Sequence, residues 1–267
     1  MSGFSAQWLS MREPHDLQAR NPAVLDAVAA AFRDQGAVAV VDLACGTGAS
    51  VRAIGPRLPP RQSWRLVDND LGLLARTAAL AQPPHLSVSA RAVDLARDLE
   101  LALDGPLDLI ACTALLDLVS PEWLERLVVE AAARRLPVYA ALSYDGTVTL
   151  DPSEPFDQDI VAAINRHQRR DKGFGPALGP EAVTQAVKRF ERVGYRVAQG
   201  ASNWVFGPRD RDIQNEILAG WAGAAREVGD LPTERIIAWF TRRREWVADQ
   251  RAGMGVGHVD VFAIPKS

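Results

Sequence analysis

An acid, Asp42, ends the run Ala37-Val38-Ala39-Val40-Val41 and is followed by Leu43-Ala44-Cys45-Gly46-Thr47-Gly48. Small and β-branched residues in an unbroken apolar run predict a buried parallel strand. The glycines let the backbone approach a ligand closely, and the helical pattern that resumes near Val51 opens with unpaired N–H groups. The acid supplies an acceptor for a cationic group, so the stretch has the chemistry of a nucleotide-binding turn. A second acid, Asp68, precedes Asn69 about twenty residues beyond the loop, where one carboxylate can accept from both hydroxyls of a ribose. Asp70 is better placed to open the next helix. Asp94 ends a third strand, Leu86 to Val93. Asp117 is the polar exception in the apolar run Thr113 to Val119, and is read as a base, a substrate acceptor or a structural partner. His167 is the natural general-base candidate, because an imidazole of pKa near ~6.5 can be neutral at pH 7. Its spacing from Ile160 and Ile164 also suits a packed, hydrogen-bonded histidine. Tyr144 and Asp145 complete the polar set.

The segment Asp42-Leu43-Ala44-Cys45-Gly46-Thr47-Gly48 resembles, nearly residue for residue, the first motif of class I S-adenosylmethionine-dependent methyltransferases. The resemblance implies that Ala44, Cys45, Gly46, Thr47 and Gly48 cradle S-adenosyl-L-methionine, with Asp42 beside them and S-adenosyl-L-homocysteine as product. It gives Asp68 and Asn69 to the ribose, and Asp94 with the Leu95 backbone to the adenine. Thr113 to Val119 falls where that family keeps its fourth motif, at the mouth of the pocket. An N-terminal helical cover is usual there, so Trp8, Arg12 and Arg20 become candidates to face the cofactor carboxylate or the substrate. The implied fold is α/β: a Rossmann-like, seven-stranded, mostly parallel sheet with helices on both faces, here enlarged by helical insertions forming a lid. The implied activity is transfer of a methyl group to an oxygen or nitrogen of a small organic acceptor. The alternatives are a catalytically silent cofactor-binding sensor or scaffold and, less favoured, an NAD(P)-dependent oxidoreductase. Val51 stands where the third glycine of a dinucleotide fingerprint belongs.

These residues need a scaffold, and the rest of the chain supplies its pattern. Residues 1–36 read as the helical cover, with Pro14 and Pro22 dividing a short helix from a longer one. Residues 37–144 read as the cofactor-binding core, with strands near Trp64 to Val67, Leu107 to Cys112 and Pro137 to Ser143. The helix after Asp70 is expected to run to Leu80, and Pro83-Pro84 to stop it. Residues 145–179 read as a lid insertion whose Arg169, Arg170 and Lys172 are a solvated face or meet an anionic substrate group. Residues 180–267 carry the last helix and strands, with a helical insertion at about 210–251. There Arg242-Arg243-Arg244 are expected on the wet side of their helix. The last strand, Gly257 to Pro265, is expected antiparallel beside the fifth. The whole is read as one methyltransferase domain.

Bulk composition is consistent with this reading. The chain has 267 residues, 48% of them hydrophobic, and a formal net charge of −3. It lacks the basic excess that nucleic-acid binding leaves, and the asparagine-proline-proline-aromatic signature of nucleic-acid amine methylation is missing from the fourth motif. Cys45 and Cys112 form no CxxC pair and read as reduced thiols in a cytoplasmic protein. No export signal, membrane span or metal-ligand cluster is expected. The expected partner is a small-molecule acceptor, on a monomer or homodimer.

Overall fold

The structure, a computed structural model, describes residues 4–77 and 84–266. Its central strand, β1 (Ala37–Leu43), pairs in parallel with β2 (Arg61–Asp68) on one side and β4 (Leu109–Thr113) on the other. Beyond them lie β3 (Leu86–Ala92) and β5 (Val138–Asp151), also parallel. The last strand, β8 (Gly253–Pro265), runs antiparallel to β5, and its other side receives β6 (Tyr195–Ala201) and the short β7 (Trp204–Phe206). The sheet order is therefore β3-β2-β1-β4-β5-β8-β6, with β7 paired to β8. Strand order reverses between β1 and β4, and a ligand crevice opens outside the carboxyl ends of strands at such a point.

Because β1 is buried on both faces, its side chains divide between two cores. Val38 and Val40 pack with Trp64, Leu66 and Ile54 beneath α2 (Pro22–Phe32), α3 (Ala49–Ile54) and α4 (Leu71–Thr77). Val41 and Leu43 pack with Leu127, Ala186 and Phe190 beneath α5 (Leu99–Ala102), α6 (Pro121–Arg134) and α8 (Ala182–Arg192). Asp70 caps α4 by accepting from the Gly72 and Leu73 N–H groups, and Ser120 caps α6 through the Trp123 N–H at 3.2 Å. The expected extension of α4 to Leu80 and its stop at Pro83 lie outside the described residues.

A third core belongs to the insertions, which form one layer rather than two. In α7 (Asp157–Gln168), α9 (Arg211–Val228) and α10 (Thr233–Ala248), the side chains of Ile160, Ile164, Ile217, Leu218, Ile236 and Trp239 pack with Met254 and Val256 of β8. What carries the layer is a strand extension that the sequence does not announce. The strand expected to end at Ser143 continues to Asp151, and Val148–Asp151 pair with Gly253–Val256. Polar and threonine-rich, Asp145 to Asp151 reads as a turn locally, but the paired β8 backbone makes it a ribbon.

The N-terminal cover also differs from expectation. The first helix, α1 (Ala6–Ala19), is the longer one and carries Pro14 inside it. Both Ser10, whose carbonyl loses its i+4 donor, and Pro14 are exposed, so water can replace the missing bond. Arg243 is a second correction. It occupies the buried stripe Ile236, Trp239, Arg243, Val247 of α10 and is 1% exposed, not wet. Its guanidinium ion-pairs with Asp157, donates to the Pro152 carbonyl at 2.6 Å and lies 4.7 Å from the Trp246 ring centroid.

Candidate active site

The glycine loop leaves β1 in left-handed backbone, with φ of 53° at Ala44, 54° at Gly46 and 79° at Gly48. Ala44 tolerates this only because neighbours hold the loop. The Cys45 N–H donates to the Val67 carbonyl at 2.9 Å, and the Gly48 N–H to the Cys45 carbonyl at 2.8 Å. The Gly46 N–H donates to Asp68 Oδ2 at 2.8 Å, while Asp68 Oδ1 accepts from the Asp70 N–H at 3.0 Å. Asp68 thus ties the end of β2 to the loop, and each oxygen retains a lone pair. Asn69 beside it is exposed. From above, α1 closes over the loop: a Cβ on Gly46 would stand 3.0 Å from Leu9 Cδ1. Arg52 pairs with Glu13 of α1 and donates to the Thr47 carbonyl at 3.1 Å.

Beside the loop runs a buried polar chain. Ser50 donates to Asp42 Oδ1 at 2.9 Å and lies 3.2 Å from the Thr113 hydroxyl, which accepts from Arg20 at 3.0 Å. Arg20 also donates to the Tyr139 hydroxyl at 2.9 Å, and Tyr139 donates to Asp260 at 3.4 Å. Asp42 is 0% exposed, and burial pushes its pKa up to about 7 against the pull of Ser50 and Arg20. For Arg20, burial works against the charge, but Tyr139, Asp260 and Asp16 outweigh it and the pKa is raised. Among the described residues, Asp42 Oδ2 and Arg20 Nε have no hydrogen-bond partner. Three residues singled out in the sequence, Arg20, Asp42 and Thr113, therefore meet in one network with Ser50. Ser50 was missed, although a hydroxyl eight residues beyond a strand-end acid, on the helix after the loop, is a readable signal.

At the end of β3, Asp94 is exposed and its Oδ1 accepts from the Ala96 N–H at 3.0 Å. Leu95 buries its side chain in the core, and its carbonyl accepts from Trp123 Nε1 at 2.6 Å.

A second polar group lies past the end of β4. Asp117 is 5% exposed, and burial pushes its pKa up to about 6 although backbone N–H groups at Asp117 and Tyr144, and then Arg12 and Lys172, oppose the rise. Among the described residues its Oδ1 has no partner. Tyr144 donates its hydroxyl to Asn165 at 2.8 Å, and burial raises its pKa. Opposite Tyr144 in the β5–β8 register stands His258, which the sequence reading did not single out. Its Nδ1 lies 3.0 Å from the Val256 carbonyl, so Nδ1 carries the proton and Nε2 the lone pair. Burial, then Arg12, push its pKa down to about 3. Arg12 pairs with Asp16 at 2.8 Å and stands 5.0 Å from the Trp204 ring centroid, while Trp204 donates to Asp16 at 2.9 Å. No local pattern marks His258, because only the strand register brings it to Tyr144.

His167 is placed apart from the glycine loop, on the insertion layer. Its Nε2 lies 2.9 Å from Glu227 of α9 and its Nδ1 lies 3.1 Å from Lys172 Nζ. An ammonium only donates, so Nδ1 accepts and Nε2–H donates to Glu227. In this tautomer both nitrogens are engaged, which is the hydrogen-bonded alternative in its half-buried form. Among the described residues no group of three or more His, Cys, Asp or Glu could hold a metal ion, and no helix is long and apolar enough to cross a membrane. Surface grooves of about 360 and 390 Å³ lie between α9 and α10 and between β5 and α7, away from the loop.

An open sheet with a topological switch point, a glycine loop and acids at three strand ends defines a Rossmann-like ligand-binding fold. Residues 40–137, a little over a third of the chain, match the family model described as "Methyltransferase domain". That segment is accordingly similar to a methyltransferase domain, set in a Rossmann-like sheet of the kind such domains use. No curated protein matches by sequence. Among solved structures, a cyclopropane-fatty-acyl-phospholipid synthase-like protein from Lactobacillus casei is 15% identical with a TM-score of 0.55, covering 98% of this chain and 95% of its own. The mycolic acid cyclopropane synthase CmaA1, complexed with SAH and CTAB, is 14% identical with a TM-score of 0.51, covering 91% and 83%. The YcgJ protein of Bacillus subtilis is 13% identical with a TM-score of 0.50, covering 92% and 100%. At such identities the likeness is one of fold.

Proposed function

We propose that the protein is a methyltransferase that moves the methyl group of S-adenosyl-L-methionine to an oxygen or nitrogen of a small organic acceptor. The observation that carries the reading is the buried chain Asp42–Ser50–Thr113–Arg20, with an acceptor at one end and a donor at the other that are unpaired among the described residues. That donor set fits the zwitterionic end of the cofactor: Asp42 would hold the ammonium, Arg20 the carboxylate. Ala44, Cys45, Gly46, Thr47 and Gly48 would give the backbone cradle, Asp68 and Asn69 the ribose acceptors, Asp94 and Leu95 the adenine contacts. The cofactor supplies a methyl group already activated on a sulfonium. What remains to the chain is to align the acceptor, exclude water and take a proton. Asp117, with an unpaired oxygen and a pKa of about 6, is the group we assign to that proton. Tyr144 and His258 frame the acceptor beside it, and α1 covers the crevice. We read the whole chain as one methyltransferase domain and the cytoplasm as its location, with free thiols at Cys45 and Cys112 in support.

Calorimetric titration with S-adenosylmethionine, S-adenosylhomocysteine, NAD(H) and NADP(H) tests the reading. Micromolar binding of the first pair alone is the expected result, and preference for a nicotinamide would overturn it. Asp68→Ala removes a charged acceptor and releases the Gly46 N–H, so affinity should fall by about 1.5–3 kcal/mol. Unchanged affinity would take Asp68 out of the cofactor site.

A further inference from the structure

We infer that Lys172 is the anion-binding residue of the acceptor site, and that the acceptor is a carboxylate bearing a hydroxyl or amino group. This rests on the methyltransferase reading and names its substrate class.

The loop carrying Lys172 is built, not loose. Asp171 Oδ1 accepts from the N–H groups of Gly173 at 2.6 Å and Gly175 at 3.0 Å, and Asp171 bridges to Pro176. The far end of the loop docks on the segment after β4. The Leu178 N–H donates to the Val119 carbonyl at 2.8 Å, the Gly179 N–H to the Asp117 carbonyl at 3.0 Å, and Phe174 meets the Trp123 ring edge-on at 5.4 Å. Lys172 is thereby brought to the same end of the sheet as Asp117, where Glu227 first and Asp117 more weakly favour its charge.

The ammonium is also aimed. One proton goes to His167 Nδ1, and His167 is fixed in turn by Glu227. Lys172 is half-buried, and desolvation lowers its pKa, so it has given up water without a direct carboxylate partner among the described hydrogen bonds. Arg12, the other cation acting on Asp117, is already paired with Asp16. Among the described residues, Lys172 is therefore a cation with bonding capacity to spare, and Asp117 Oδ1 an acceptor lacking a donor. An anionic group on the first and an O–H or N–H on the second satisfy both. Asp117 on one side and Glu227 on the other disfavour a dianion, which selects carboxylate over phosphate monoester. His167 becomes a positioning residue; of the other basic residues beside it, Arg169 is paired with Glu181 at the surface and Arg170 is exposed.

The test uses the full chain, with and without saturating S-adenosylhomocysteine, and ligand-observed NMR. Probes are aliphatic and aromatic hydroxy- and aminocarboxylic acids, each beside its primary carboxamide and its phosphate-monoester analogue. At least one acid should bind about tenfold or more tighter than its amide. Lys172→Met should reduce that preference to within about twofold, while Arg169→Met leaves it intact. His167→Phe should weaken the preference and His167→Gln, which keeps an acceptor for Lys172, restore it. No acid exceeding its amide, a preference that survives Lys172→Met, or tighter binding of phosphate esters overturns the inference. Failure to bind S-adenosylhomocysteine sinks the methyltransferase reading instead, and the acid-against-amide comparison on the free protein still reads Lys172.

Discussion

Asp68 and Arg243 each complete a buried set of polar contacts, one at the glycine loop and one in the helical layer. Asp68 bonds residues two and twenty-two positions away, both inside the first β-α unit and its neighbour. Arg243 bonds Asp157 and Pro152, on a different helix and at the end of a different strand, across intervals of 86 and 91 residues. The loop region is thus held by contacts whose partners sit at fixed offsets from a strand end. In the helical layer, a charge at a core position of α10 is tolerated only because α7 delivers a carboxylate to it. One region is local grammar on a rigid sheet; the other is long-range complementarity.

Arg243→Ala should break this contrast most sharply. It leaves Asp157 buried and unpaired, with only Trp239 Nε1 and the Glu154 N–H donating to it. Chemical denaturation should show a loss of about 3–5 kcal/mol. Affinity for S-adenosylhomocysteine should change little, because the loop hangs from β1 and β2. Arg243→Met combined with Asp157→Asn should recover at least half of the loss. A cost below about 1 kcal/mol would mean that the staple does not support the layer.

The glycine-loop side has its own expensive charge. Asp42 has a folded pKa of about 7 against an ordinary aspartate value of 3.8, so between those values the folded state binds more protons than the unfolded state. Its contribution to stability is whole below about pH 4, declines as pH rises and is gone above about pH 7, a change of about 4 kcal/mol. Asp42→Asn should flatten this part of the curve and stabilise the free protein at pH 8. Asp117, with its pKa of about 6, adds a change of the same sign in both proteins, so the difference between the two denaturation curves isolates Asp42. The same substitution should weaken cofactor binding, since the ionised acid is what the ammonium needs. If wild-type and variant curves run parallel from pH 4 to 8, the acid is not held neutral in the free protein.

The contrast also sets what could be read from the chain. The parallel strands, the caps at Asp70 and Ser120, the loop and the acids at strand ends follow from period, turn chemistry and offset, and all were legible. The ribbon of Asp145 to Asp151 was not, because its pairing depends on a partner about a hundred residues away. Leu142 makes the same point at one residue. It is buried at φ 54° beside a register shift, with its N–H held by Asp260 of β8 at 2.9 Å. No propensity assigns that backbone to a leucine. His258 and the buried Arg243 were missed for the same reason, since both depend on packing between distant segments. In the candidate site, the polar network of Asp42, Thr113 and Arg20 joins residues the sequence already singles out, whereas the approach of His258 to Tyr144 depends on strand register alone.

Ser120 lies where the two regions meet, and its removal should have the smallest effect. Its hydroxyl caps α6 through the Trp123 N–H, a local device, yet Gly175 of the docked loop packs directly above it, with a would-be Cβ 3.5 Å from Ser120 Cβ. Ser120→Ala keeps that Cβ and removes only the cap, so the expected loss is about 1 kcal/mol by chemical denaturation. Trp123 bonded to Leu95 and the buried Leu124 and Leu127 hold the helix regardless. A loss above about 2 kcal/mol would exceed what a cap supplies. It would show that the loop bearing Lys172 is anchored through the hydroxyl, making its position depend on the first half of the chain as much as on the insertion that carries it.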